Sequence, residues 1–238
     1  MTPLCYAVCP VPFRKSAGSG RKGGFGKVSG TNWSEQVRWR EKVHRQYPGV
    51  WDLGIVRKRL PFILKYLQDG EAVLEIGAYN RELGGRLRKH YPRILYKSLD
   101  IDPSYPHDYT SLEEVREKFD MVLLFEVIEH LGWESGREMV GRIFEVLKPG
   151  GRVIVTTPNV YTPGQYWKDA SHRTAYHYEE LGGLFLSQRF ASIEIFRLFS
   201  EAFLKYFMKV YLFSPLFRFL GFDFTRSILL VARKDQDG

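Results

Sequence analysis

Two carboxylates and an imidazole stand at Glu126, Glu129 and His130, spaced i, i+3 and i+4. On a helix that spacing puts all three on one face. Such a trio suits a divalent cation, or a base facing an acceptor hydroxyl. The plainer reading has Glu126 ordering a loop while Glu129 and His130 hydrogen-bond locally. His172 and His177 lie in the polar, aromatic run 169–177, and either one fits as a further member. A second group precedes them. In Leu74-Glu75-Ile76-Gly77-Ala78, a glycine directly after an apolar run lets backbone approach a ligand. A helix N-terminus following it favours an anionic group such as a carboxylate. Asp100 comes about 25 residues after Glu75, where a carboxylate can take both hydroxyls of a ribose. The run Gly77-x-Tyr79-x-x-Glu82 misses the dinucleotide fingerprint at two of three positions, which argues against NAD.

These residues need strand ends to hold them, and the pattern supplies such ends. Apolar runs at 72–76, 94–99, 121–125 and 152–157 alternate with helical patterns at 83–90, 111–118 and 134–147. The alternation predicts an α/β fold with a doubly wound, mostly parallel sheet. Two helices, at 33–46 and 54–67, form an expected N-terminal helical cap over residues 31–69. Asn32 or Thr31 is the expected cap residue of the first. A helix is also expected from about Tyr178, after a loop that carries His172.

Four segments in order carry a family resemblance: Leu-Glu-Ile-Gly at 74–77, Leu-Asp-Ile-Asp at 99–102, Phe-Asp-Met-Val at 119–122 with Glu-Val-Ile-Glu-His at 126–130, and Leu-Lys-Pro-Gly-Gly at 147–151 with Thr-Pro-Asn at 157–159. Together they resemble class I S-adenosylmethionine (SAM)-dependent methyltransferases, closest to the branch with the ubiquinone-biosynthesis O-methyltransferases. The resemblance covers roughly residues 70–198. It implies a seven-stranded Rossmann-like sheet in which 227–233 is the antiparallel strand, and SAM as cofactor. It places Glu75, Gly77 and Ala78 beside the methionine part of SAM and Asp100 on the ribose. Ile101 would pack on adenine, Asp108 and Tyr109 would meet the adenine amino group, and Phe125 and Glu126 would line the cofactor near its sulfur. The family usually carries two more glycines after Gly77 at alternate positions, where this chain has Tyr79 and Arg81. The Glu-x-x-Glu-His pattern also resembles the metal site of small-RNA 2′-O-methyltransferases. A metal set of Glu126, Glu129, His130 and His172 is therefore the less favoured alternative to His130, Glu129 and His172 acting on the acceptor without metal.

The chain has 238 residues and a net charge of +8, unevenly spread. Residues 1–49 hold nine Lys/Arg against two acids, leaving 26 bases and 25 acids in residues 50–238. A nearly neutral catalytic part lacks the basic stripe that nucleic acid requires, so the expected acceptor is a small, lipid-linked or sugar-linked molecule. Residues 1–30 read as a basic Gly/Ser-rich disordered tail without a signal-peptide pattern, and 70–238 as the methyltransferase domain. Cys5 and Cys9 have no neighbouring ligand residues and form no zinc pattern. Eleven aromatic residues fall between Phe196 and Phe224. That insertion, 199–224, is expected either to pack on the sheet or to lie on a membrane surface, in a protein otherwise cytoplasmic. Two further readings stay open: a metal-assisted RNA 2′-O-methyltransferase, and a non-catalytic methyltransferase-like binding module.

Overall fold

Five consecutive residues, Ala72–Ile76, are buried at every position, as a strand covered on both faces must be. This strand, β2, follows β1 (Gly54–Val56) and precedes β3 (Leu95–Leu99), β4 (Phe119–Phe125), β5 (Leu147–Pro158), β6 (Ser192–Leu198) and β7 (Ser227–Arg233). They form one seven-stranded sheet in the order β1-β6-β7-β5-β4-β2-β3. Only β7 runs antiparallel, between β5 and β6. The computed structural model describes residues 33–199 and 203–236. The expected basic tail and the cap residues Thr31 and Asn32 lie outside them.

Helices cover both faces. On one side α1 (Trp33–Gln46), α4 (Trp133–Val146) and α5 (Tyr178–Ser187) bury Val43, Val140, Ile143, Leu181 and Phe185 against alternate strand residues such as Leu74, Val122 and Val153. On the other, α2 (Arg59–Tyr66) and α3 (Glu82–Arg88) bury Phe62, Ile63 and Leu87 against Val73, Met121 and Ile154. The period of two along each strand thus assigns successive side chains to two separate cores.

Three expectations need correction. The helix expected at 54–67 is shorter, and its first residues form β1, which pairs in parallel with β6 through Gly54, Ile55 and Val56. The cap segment therefore also contributes the edge strand of the sheet. Ile55 and Val56 are β-branched and favour this pairing, while Pro61 falls in the first turn of α2, where its missing N–H costs nothing. The helix expected at 111–118 is a single 3-10 turn, Leu112–Glu114. Ser111 and Glu114 close a capping box around that turn, and Val115 is already extended. The 126–130 segment is not one helical face, as described below.

The insertion after β6 holds α6 (Phe203–Phe207), a π-helical turn (Met208–Leu212) and α7 (Ser214–Phe219). Its return leg is locked in place. Buried Asp223 accepts from Arg197 Nη1 (3.2 Å), Asn159 Nδ2 (2.7 Å) and Thr225 Oγ1 (2.7 Å), which binds the leg to β6 and to the loop after β5. A buried charge is tolerable only with this degree of pairing.

Candidate active site

Because β2, β3, β4 and β5 are parallel, the segments following them emerge along one edge of the sheet. The four motifs therefore meet in space. Gly77 leaves β2 with φ +73°, and its N–H donates to Leu99 O at 2.9 Å. A Cβ at Gly77 would stand 2.4 Å from Val127 Cγ2, so both the backbone angle and the neighbour demand glycine.

The two positions where glycines are usual keep a glycine-like conformation despite their side chains. Tyr79 has φ 44° and Arg81 φ 61°, left-handed values that cost an L-residue about 1–2 kcal/mol each. Local bonds offset the strain. The Tyr79 N–H donates to Asp100 Oδ2 at 2.7 Å, and its ring meets Tyr105 edge-on. Arg81 donates to Pro106 O at 3.0 Å and to Asp108 Oδ2 at 3.1 Å.

Asp100 at the end of β3 receives the Tyr79 N–H on one oxygen and the Asp102 N–H on the other, at 3.0 Å. Ile101 beside it is exposed. Asp108 is more committed than the sequence indicated. Its carboxylate accepts from Arg81, Lys97 Nζ (3.1 Å) and the Ser98 N–H (2.9 Å). Burial pushes its pKa up, but the hydrogen bonds from Ser98 and Lys97 and the Lys97 charge outweigh it and hold the pKa low. Tyr109 bridges Leu99 through its backbone while its hydroxyl donates to Glu117 at 2.6 Å.

Glu75 is buried in β2 and accepts a short hydrogen bond from the Tyr96 hydroxyl. Burial pushes its pKa up to about 7, against the lowering effects of Tyr96 and Arg59. A raised carboxylate pKa gives stability that is complete below the unfolded value near 4.5 and is lost as pH rises to about 7. The loss above that window is about 3 kcal/mol. Glu75→Gln is therefore expected to flatten the fall in stability between pH about 5 and 8, measured by urea unfolding. An unchanged slope would assign the dependence elsewhere.

Glu126 follows β4 with φ 54°, and its N–H donates to Thr156 O at 2.9 Å. This left-handed residue breaks any helix at its start, and a 3-10 turn, Ile128–His130, follows. The common helical face expected for Glu126, Glu129 and His130 therefore does not form. What forms instead is a cluster of Glu129, His130 and His172, each with a carboxylate oxygen or ring nitrogen within 4.8 Å of the others'. Glu126 is outside this trio, and burial raises its pKa while Arg59 and His172 oppose the rise. His177, the other candidate, caps α5 by accepting the Glu179 N–H and bonds the Tyr161 hydroxyl.

The trio is oriented from behind. His172 Nδ1 lies 2.6 Å from Tyr166 O, which can only accept, so this nitrogen carries the proton. Ser171 Oγ donates to Asp169 at 2.6 Å and so accepts from His130 Nδ1 at 2.8 Å. In the neutral form of each ring the bare nitrogen is thus Nε2. Burial and the neighbouring His172 lower the His130 pKa, keeping that ring neutral. Glu129 is fully buried, and neither carboxylate oxygen makes a geometrically sound hydrogen bond among the described residues. Its pKa is raised well above the usual range by burial and then by Glu126.

A family model described as a methyltransferase domain matches residues 43–211. The chain belongs to this family. The matched region is a class I SAM-dependent methyltransferase domain, a family whose cofactor is SAM. Over 109 residues it is 33% identical to a ubiquinone biosynthesis O-methyltransferase of Bradyrhizobium sp. (strain ORS 278), covering 38% of this chain and 41% of that protein. The chain spans less than half the length of the curated relatives it matches. In fold it is similar to a SAM-dependent methyltransferase from Archaeoglobus fulgidus (TM-score 0.61, 17% identity, 82% of this chain and 94% of that one). A phosphoethanolamine N-methyltransferase 2 of Haemonchus contortus, solved with SAM, is similar at TM-score 0.51 and 15% identity, covering 74% and 52%.

Arg59 is a residue of the candidate site that sequence reasoning missed. It starts α2, and its guanidinium lies 4.4 Å from the Phe125 ring centroid. There it favours the charged forms of both Glu75 and Glu126. Nothing in the local pattern of α2 marks it, since it reaches the site only through the β1–β6 pairing.

Proposed function

We propose that the enzyme moves the methyl group of SAM to a hydroxyl oxygen of a small, lipid-linked or sugar-linked acceptor placed at Glu129, His130 and His172. The buried Glu129 carboxylate beside two imidazoles, without a geometrically sound hydrogen bond among the described residues, carries this reading, because such a group is costly unless the reaction uses it. In this assignment Asp100 holds the ribose hydroxyls and Ile101 covers adenine, with Asp108 and Tyr109 shaping the adenine end. Glu75, Gly77 and Ala78 border the methionine part, with Phe125 and Glu126 near the sulfur. Arg59 is suited to the methionine carboxylate.

The carbon–sulfur bond breaks as the oxygen–carbon bond forms, giving S-adenosylhomocysteine, and the hydroxyl proton must leave the oxygen. Glu129 and the bare Nε2 of His130 are bases placed for that proton. In-line positioning supplies much of the remaining rate. The same three groups suit a divalent cation, since a carboxylate oxygen and one ring nitrogen of each histidine lie within 4.8 Å of one another and both imidazoles are oriented through Nδ1. A cation held there would lower the pKa of the acceptor hydroxyl. Turnover on catechol-type and sugar hydroxyls, compared with amines and with or without chelator, tests the assignment. Hydroxyl-only methylation with intact SAM binding is the expected result. Amine-only methylation would overturn the oxygen assignment, and chelator-insensitive turnover would remove the cation.

A further inference from the structure

The insertion between β6 and β7 leaves the sheet at the edge that carries the candidate site. β5 and β6 both run antiparallel to β7, so Leu198 and Pro158 end their strands on the same side. Its two ends are core. Phe199 and Phe224 are buried, and they meet Tyr206, Trp51 and Phe217 in ring contacts that fix the segment on the sheet. Its middle faces outward. Among the described residues, nine of the fourteen exposed large hydrophobics fall between Leu204 and Phe222, including Tyr211, Leu212, Leu216 and the 86%-exposed Phe219. Scattered apolar residues need no explanation, but one segment holding most of them does.

Charge selects the occupant. Residues 203–222 contain Lys205, Lys209 and Arg218 and no acid. Lys209 and Arg218 lie over the inner rings of Phe199 and Trp51, next to the apolar surface. A second copy seated on the patch about a two-fold axis would bring like charges together. An anionic partner with an apolar interior satisfies both features. No helix among the described residues is long and apolar enough to cross a membrane.

We propose that residues 204–222 dock the protein on the surface of an anionic phospholipid bilayer, with aromatic and leucine side chains at the headgroup boundary and the three cations on lipid phosphates. The docked orientation turns the candidate site's edge toward the bilayer, whichever acceptor the enzyme uses.

Full-length protein is tested by sedimentation with phosphatidylglycerol/phosphatidylcholine vesicles and with phosphatidylcholine vesicles. Wild type is expected to bind the anionic vesicles strongly and the neutral ones weakly. The triple variant Leu212→Ser, Leu216→Ser, Phe219→Ser is expected to lose at least tenfold in partitioning. Removing Lys205, Lys209 and Arg218 by alanine should cost about a hundredfold on anionic vesicles. Unchanged SAM affinity and melting temperature establish that these surface variants fold. Absence of wild-type binding would overturn the proposal. So would a serine variant that partitions like wild type, which would assign attachment to the basic N-terminal residues. A wild-type dimer that the serine variant converts to monomer, with vesicle binding unaltered, would make the patch a self-association surface instead.

Discussion

Asp100→Ala is expected to weaken SAM binding about a hundredfold in calorimetry while the protein stays folded. Each carboxylate oxygen accepts one backbone N–H, from Tyr79 and from Asp102, and a carboxylate has about four lone-pair sites. The remaining sites are available to the two ribose hydroxyls. Two hydrogen bonds to a charged group, at about 1.5 kcal/mol each, correspond to that hundredfold. Asp100→Asn keeps an acceptor but loses the charge, and about tenfold is expected. The same aspartate restrains Tyr79 in its left-handed conformation, so the alanine variant should also melt a few degrees lower. Full SAM affinity in Asp100→Ala would refute the ribose assignment. A lowered melting temperature alone would make Asp100 only a support for the loop.

The strand ends were legible because each ends an apolar run at a residue with a chemical reason to be there, such as Gly77 or Asp100. Their meeting in one site follows from parallel pairing, which the strand–helix alternation implied. The features that escaped depend on distant partners. β1 is three residues long and is a strand only because β6 lies beside it. Arg59 arrives at Phe125 by the same route. Asp108 matched its motif position, but its ties to Arg81 and Lys97 depend on how the β2 and β3 loops fold back. Tyr79 and Arg81 were legible as departures from a glycine pattern, whereas their retention of left-handed angles was not, because it rests on Asp100 and Asp108. The spacing of Glu126, Glu129 and His130 was seen correctly and given the wrong geometry. One left-handed residue replaced a helical face by a tight turn, and His172, 42 residues beyond His130, took the place of Glu126.

That substitution makes Glu129 the most informative residue to change. Glu129→Gln is expected to lower kcat by a factor of about 10²–10⁴, the range associated with losing a positioned acid–base group. SAM affinity should stay within about twofold, since no hydrogen bond links the Glu129 carboxylate to Asp100 or Gly77. Stability should stay level or rise, because a neutral amide removes the cost of burying an unbonded carboxylate. These directions separate the possible roles. A structural buried acid loses stability and activity together when it is neutralised. A residue retained for chemistry loses activity and leaves a protein at least as stable. His130→Ala, by contrast, leaves a cavity and removes one of the two partners of the Ser171 hydroxyl, so both quantities should fall. Glu129→Asp keeps the charge on a shorter stem and should recover part of the lost turnover. Wild-type kcat in Glu129→Gln, or a melting temperature many degrees lower, would remove Glu129 from the chemistry and return the cluster to the plain role of holding the loop after β4.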